Sequence, residues 1–126
     1  MKRIITTSNA PAPIGPYSQA VLTGNTLYTS GQIAINPANG ELVLDDIKIE
    51  TEQVMQNLKA VLTEANMTFE NVIKTTIFLS DMNNFSLVNE VYGSYFNEDT
   101  APARETVAVK ALPKFVNVEI SVVAVQ

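Results

Sequence analysis

Val116-Asn117-Val118-Glu119-Ile120-Ser121-Val122-Val123-Ala124-Val125 is the most regular extended stretch of the chain. Residues 116, 118, 120, 122 and 124 are apolar and alternate with Asn117, Glu119, Ser121, Val123 and Val125, the period-two pattern of a strand with one buried face. Val123 and Val125 break the polarity of the outer side. A sheet built on this strand therefore needs a second cover, and a neighbouring subunit can supply it.

Working upstream, Thr106 to Val109 reads as a strand and Asn71 to Leu79 as a β-branched strand, with Ile73, Thr75, Ile77 and Leu79 on one side. Between these two, Asp81 to Asn84 offers helix N-caps. A helix follows to about Phe96, with Phe85, Val88, Tyr92 and Tyr95 or Phe96 as its apolar stripe. From Thr51 to Ala65, Val54, Leu58, Val61, Leu62 and Ala65 recur at helical spacing, and Asn66 suits a left-handed cap. Nearer the start, Val21-Leu22 and Leu27 to Ser30 flank Gly24-Asn25 as a hairpin. Ile4-Ile5 begins another strand, and the proline-rich Ala10 to Pro16 is a stiff loop. Ile33 to Ile35 continues extended, Asn39-Gly40 turns, and Leu42 to Leu44 follows. The order is that of one α+β domain over residues 1–126, a mixed sheet with two helices on one face.

Composition narrows the chemistry. The chain has 126 residues, a 46% hydrophobic share and only 17% charged residues, which suits one small domain that buries surface against copies of itself. A net charge of -5 with no basic cluster disfavours nucleic-acid binding. Cysteine and histidine are both absent, so thiolate nucleophiles, imidazole catalysis and His/Cys metal sites are excluded. The Met1 to Ala10 stretch lacks a signal-peptide core, and no apolar run approaches the roughly 18 residues that span a bilayer. The expected setting is the cytoplasm.

Catalysis then falls to carboxylates, arginine, hydroxyls and backbone. Arg104 is either a strand-edge guard or a forked clamp for a carboxylate. Glu119 is either a solvent-side residue or a general acid/base whose burial lifts its pKa. Alternation puts Arg104 and Thr106 on one side and Glu105 on the other. Tyr17 follows a rigid turn, Ser30-Gly31 offers a hydroxyl and open backbone N–H groups, and Asn89 presents an amide beside Val88. Each also has a purely structural reading: a packing tyrosine, an ordinary turn, a helix-surface amide.

The motifs taken in order are more specific. They run Asn9-Ala-Pro-Ala-Pro-Ile-Gly-Pro-Tyr-Ser-Gln19, Thr29-Ser-Gly-Gln-Ile33, Gln56-Asn-Leu-Lys-Ala-Val-Leu62, Lys74-Thr-Thr-Ile-Phe78 and Phe85 through Phe96. Pro102-Ala-Arg104, Leu112-Pro-Lys114 and Val118-Glu-Ile120 complete the series. Over essentially its whole length the chain resembles the RidA/YjgF family of reactive-intermediate deaminases. The resemblance implies a chorismate-mutase-like fold of the Bacillus type, a homotrimer, and active sites in clefts between subunits. The implied reaction is hydrolysis of 2-aminoacrylate and 2-iminobutanoate to 2-oxo acids and ammonia, without metal or cofactor. Such intermediates come from pyridoxal-phosphate enzymes, an indirect metabolic link. The resemblance assigns the substrate carboxylate to Arg104 and the attacking water to Glu119. Tyr17, Ser30 and Asn89 line the pocket, Gly31 donates its N–H to the carboxylate, and Thr106 offers its carbonyl.

Two residues depart from the family pattern. Thr106 stands where many members have cysteine, a tolerable change if its backbone acts. Glu105 replaces a small or apolar residue; facing away from the pocket, it needs a partner such as a lysine. A competing reading is a trimeric sensor that binds small carboxylates without catalysis, for which Arg104 alone suffices. Ribonuclease activity is opposed by the acidic charge and the missing histidine.

Overall fold

The ends of α1 and β6 set the frame. In the computed structural model, which describes residues 1–126, β6 spans Val118–Val125 and α1 spans Ile47–Glu64. The remaining elements are β1 (Lys2–Ile5), β2 (Ala20–Thr23), β3 (Thr26–Thr29), β4 (Val72–Leu79), α2 (Phe85–Gly93) and β5 (Ala103–Ala108). The strands form one six-stranded sheet in the order β1-β2-β3-β6-β4-β5. All neighbours run antiparallel except β4 and β5, which are parallel and joined through α2. The architecture is the expected α+β one.

The alternation of β6 is obeyed throughout. Val118, Ile120, Val122 and Ala124 are buried, and Glu119, Ser121, Val123 and Val125 are half-buried on the other side. The buried set packs with Val54, Leu58, Val61 and Leu62 of α1, Val88 of α2 and Ile77 and Leu79 of β4 in one core. That core lies on the helix side of the sheet. The opposite side carries Tyr28, which pairs with Val123, and Val107, which lies beside Phe78; Tyr28 and Val107 are exposed.

Four expectations need correction. Helix α1 begins at Ile47 rather than near Thr51, because Asp46 caps it through an Oδ1 that accepts from the Ile49 N–H at 2.8 Å. Helix α2 ends at Gly93; Tyr95 and Phe96 follow in a turn yet still pack against the core, with Phe69 edge-on to both. Strand β5 starts at Ala103 and stops at Ala108, earlier at both ends than expected. Ile73 does not share a side with Thr75: the β4–β6 register slips between Val72 and Lys74, so Val72 is buried and Ile73 is exposed. An extra residue in one strand turns every side chain before it to the other face. Asn66 takes the left-handed cap, with φ 59°.

Two buried polar side chains order segments that lack regular structure. Gln19 accepts from the Thr7 N–H at 2.7 Å, and its amide nitrogen donates to the carbonyls of Thr7, Ala10 and Pro11. This pins the proline-rich loop to the start of β2. Asn57 of α1 donates to the carbonyls of Ile33 and Ile35 and fixes the stretch after β3. Leu42 meets that stretch through a single bridge to Ile35 rather than a full strand.

Candidate active site

Strand β6 brings Glu119 to the sheet face opposite the helices, level with Phe78 of β4. The segment after β3 runs alongside, because Gln32 and Ile120 exchange both backbone hydrogen bonds, at 2.8 and 3.1 Å. Gly31 therefore lies against the Glu119 side chain. A Cβ at Gly31 would stand 2.7 Å from Glu119 Cδ and 2.9 Å from Cγ, closer than side chains tolerate. Here the glycine lets the Glu119 side chain take this position, since any Cβ would push its carboxyl end aside. Its N–H makes none of the chain's hydrogen bonds and is open to a ligand.

Glu119, Gly31, Ser30 and Tyr17 line a cavity of about 300 Å³ whose other walls include Pro11, Ile14, Ile33 and Pro113. These walls withdraw water from the carboxyl group, and burial raises the Glu119 pKa above its ordinary 4.5. The Tyr17 hydroxyl accepts from the Ile14 N–H at 3.3 Å, with its ring half exposed. The Ser30 hydroxyl donates to the Ser18 carbonyl at 2.6 Å, so its proton braces the turn and only its lone pairs face the cavity.

Arg104 lies elsewhere. It pairs with Thr75 on β4, and its side chain rises on the helix side of the sheet. Nη1 donates to Asn89 Oδ1 of α2 at 2.6 Å. The guanidinium carbon sits 5.6 Å from the Phe85 ring centre and 5.1 Å from that of Tyr92. Tyr92 is itself held by a 2.9 Å bond from its hydroxyl to Thr75 Oγ1. With one nitrogen engaged and the charge stacked on two rings, the rest of the fork remains available to a carboxylate. A second cavity of about 370 Å³, lined by Arg104, Asn89, Pro102 and Phe96, opens there. Thr106 shares this side, and its buried Oγ1 has no hydrogen-bond partner.

The site residues named from sequence thus fall into two groups in one protomer: Tyr17, Ser30, Gly31 and Glu119 on one side, Asn89, Arg104 and Thr106 on the other. Sheet register separates them, since Arg104 aligns with buried Thr75 whereas Glu119 aligns with Phe78, whose side chain faces the other way. Glu105 has a lysine partner, Lys74, whose Nζ reaches its Oε1 at 3.0 Å, with Thr76 Oγ1 3.4 Å from Oε2, but the pair is exposed, so the partner is not demanded by burial. Sequence reasoning missed Gln19, which lies outside any periodic element although it directly follows Tyr17-Ser18, and Asn57, which falls on the buried stripe of α1 between Val54 and Val61 but is polar.

The sequence model of the family described as endoribonuclease L-PSP matches residues 7–126. A RutC family protein of Pyrococcus horikoshii is 52% identical over 124 residues, 98% of this chain and 98% of its own. The 2-iminobutanoate/2-iminopropanoate deaminase of Homo sapiens is 46% identical over 126 residues, 100% of this chain and 91% of its own. The crystal structure of YyfA from Yersinia pestis, a protein of the conserved Rid family, superposes with a TM-score of 0.97 at 51% identity and covers 100% of both chains.

Proposed function

The chain belongs to the endoribonuclease L-PSP family, the Rid/YjgF group, and on that premise we propose that it is a 2-iminobutanoate/2-iminopropanoate deaminase that completes each site from two subunits of a homotrimer. The observation that carries the reading is the division of the site: a carboxylate clamp and a partly buried acid/base group occupy opposite faces of one sheet, each beside its own cavity. A ring of subunits brings one face of each protomer to the other face of the next, a heterologous contact that closes by rotation. The uncovered sheet side, with Tyr28, Val107 and Ile4 exposed, supplies apolar surface for it.

In this reading the substrate carboxylate binds Arg104 of the partner subunit and the Gly31 N–H. Glu119 accepts a proton from water as the water oxygen bonds to the carbon of the protonated imine and the C=N π pair moves to nitrogen, which gives a carbinolamine. That proton passes to nitrogen, the hydroxyl gives its own proton to the freed Glu119 carboxylate as the C–N bond breaks, and ammonia leaves a 2-oxo acid. 2-Aminoacrylate enters after tautomerising to 2-iminopropanoate. Positioning supplies most of the acceleration, and no residue forms a covalent bond to substrate. The imines are those released by pyridoxal-phosphate enzymes, and the setting that goes with them is the cytoplasm. RNA cleavage, which the family description names, finds little support in an acidic chain without histidine.

The test is subunit complementation. Arg104→Ala and Glu119→Gln are each assayed for competition with semicarbazide over the imine formed by threonine dehydratase. Each alone is inactive. Unfolded together and refolded as an equal mixture, they regain about one quarter of parent activity, the random chance that one shared site draws its Glu119 and its Arg104 from the intact sources. No recovery in well-formed mixed oligomers refutes the shared site. A parent that binds 2-oxobutanoate but never competes with semicarbazide refutes catalysis and leaves a binding protein.

A further inference from the structure

Glu50 is fully buried in the first turn of α1, a position where a helix normally presents an apolar or solvent-facing residue. It belongs to neither of the two side-chain ion pairs, Lys48–Glu90 and Lys74–Glu105. What surrounds it is a set of donors. Oε2 accepts from the Asn117 N–H at 2.8 Å and from the Val118 N–H at 3.2 Å, and Oε1 accepts from Asn117 Nδ2 at 2.8 Å. A buried carboxyl group is costly unless its lone pairs are matched in this way.

The bonded residues are the two that precede Glu119. Successive N–H groups of an extended strand point in opposite directions; here they converge on one oxygen, so the backbone entering β6 is turned and held. On the far side of Glu119, Ile120 is locked to Gln32 by the paired bonds already described. Gly31 closes the flank. We propose that Glu50 is a positioning residue: it anchors the Asn117–Val118 backbone to α1 and thereby sets where the Glu119 carboxylate stands in its cavity. The effect on turnover rests on the deaminase reading above, but the effect on Glu119 geometry does not.

The test compares four variants of the full chain. Glu50→Met keeps the length and removes the acceptors. Glu50→Asp keeps the carboxylate and shortens its reach. Glu50→Gln is the conservative rescue: its oxygen can accept both backbone N–H groups, while its NH2 meets a turned Asn117 amide whose other end Ser80 Oγ, 3.3 Å away, can satisfy. Val61→Ala, a buried α1 lesion about three turns along the helix from Glu50, controls for lost stability. The first readout is kcat against KM per folded molecule; the second is the carbon-13 titration of the Glu119 carboxyl, which needs no substrate. Glu50→Met and Glu50→Asp are expected to lose roughly tenfold in kcat with KM within about twofold, and Glu50→Gln to remain within about threefold of the parent. In the first two the Glu119 titration moves toward that of a solvated glutamate, and in Val61→Ala neither readout changes. If Glu50→Met fails to fold, Glu50→Asp decides. Unchanged titration in the folded Glu50 variants overturns the proposal whatever happens to kcat, and so does an equal kcat loss in Val61→Ala. If the parent hydrolyses no imine, the deaminase reading falls and the titration alone decides the role of Glu50.

Discussion

Gly31→Ala perturbs the placement of the Glu119 carboxylate directly. The added Cβ would lie 2.7 Å from Glu119 Cδ, and ordinary van der Waals contact begins near 3.4 Å, so the carboxyl end must retreat by about 0.7 Å. The backbone does not resist, because Gly24 and Gly40, not Gly31, have positive φ. The retreat pushes Glu119 off its rotamer at about 0.5–1.5 kcal/mol. Restricting the unfolded chain returns about 0.4–1 kcal/mol. Net stability is thus nearly unchanged, and a melting temperature within a few degrees of the parent is expected. Activity is another matter: a misplacement approaching 1 Å costs on the order of 100-fold in rate where positioning dominates. The semicarbazide competition assay gives kcat, and a thermal melt gives stability on the same preparation. Gly15→Ala is the matched control, since its Cβ would meet only Tyr17 Cδ2 at 3.8 Å and Cε2 at 3.9 Å; it should be silent in both. A Gly31→Ala enzyme that melts like the parent and turns over within about threefold of it refutes the claim that this carboxylate must be held in place.

Three other outcomes are expected. Because burial raises the Glu119 pKa, the folded chain holds that proton at pH values where the unfolded chain has released it; this group's contribution to stability is full below about pH 4.5 and is lost as pH rises through the folded pKa. Turnover that needs the ionised base rises over the same window, so melts and kcat measured against pH should trend oppositely there, and Glu119→Gln should flatten its part of the stability curve. Thr106→Val removes a buried hydroxyl without a partner. Stability should hold or gain up to about 1–2 kcal/mol, with activity within about threefold if the Thr106 backbone acts; a large activity loss would assign the work to the hydroxyl. Lys74→Ala unpairs Glu105, and in the separate protomer the exposed pair is worth about 0–1 kcal/mol. If a neighbouring subunit covers that sheet face, sedimentation should show weaker assembly, and Lys74→Ala/Glu105→Ala should restore it.

Much of the fold was legible because β6 and α1 obey simple periods. Val118 to Ala124 alternate as written, and Val54 to Leu62 keep helical spacing. The failures have local causes. Ile47 and Ile49 are β-branched residues two apart, which imitates a strand and hides the helical turn that Asp46 caps. The bulge at Ile73 is set by pairing with β6, and no residue type in Lys74-Thr75-Thr76 announces it. The side preference of Arg104 relative to Glu105 could be read from β5 alone. That Arg104 and Glu119 face opposite ways could not, because it depends on how both strands register against β4. Gln19 escaped because it lies outside any periodic element, and Glu50 because, although it falls on the α1 stripe four residues before Val54, it is charged and precedes the expected helix start near Thr51.

The Gln19 clasp bears on how this family can change. Its four bonds go to one backbone N–H and three carbonyls, none to a side chain. The loop they shape forms part of the cavity wall through Pro11, Ala12 and Ile14. A loop held by its main chain keeps its course when its exposed side chains, such as Ala12 and Ile14, are changed. Substitutions at Ala12 and Ile14 can therefore accumulate one at a time, each altering the width of the cavity while the backbone stays put. A bulkier or slimmer substrate could be accommodated here, at side chains that the Gln19 bonds do not use.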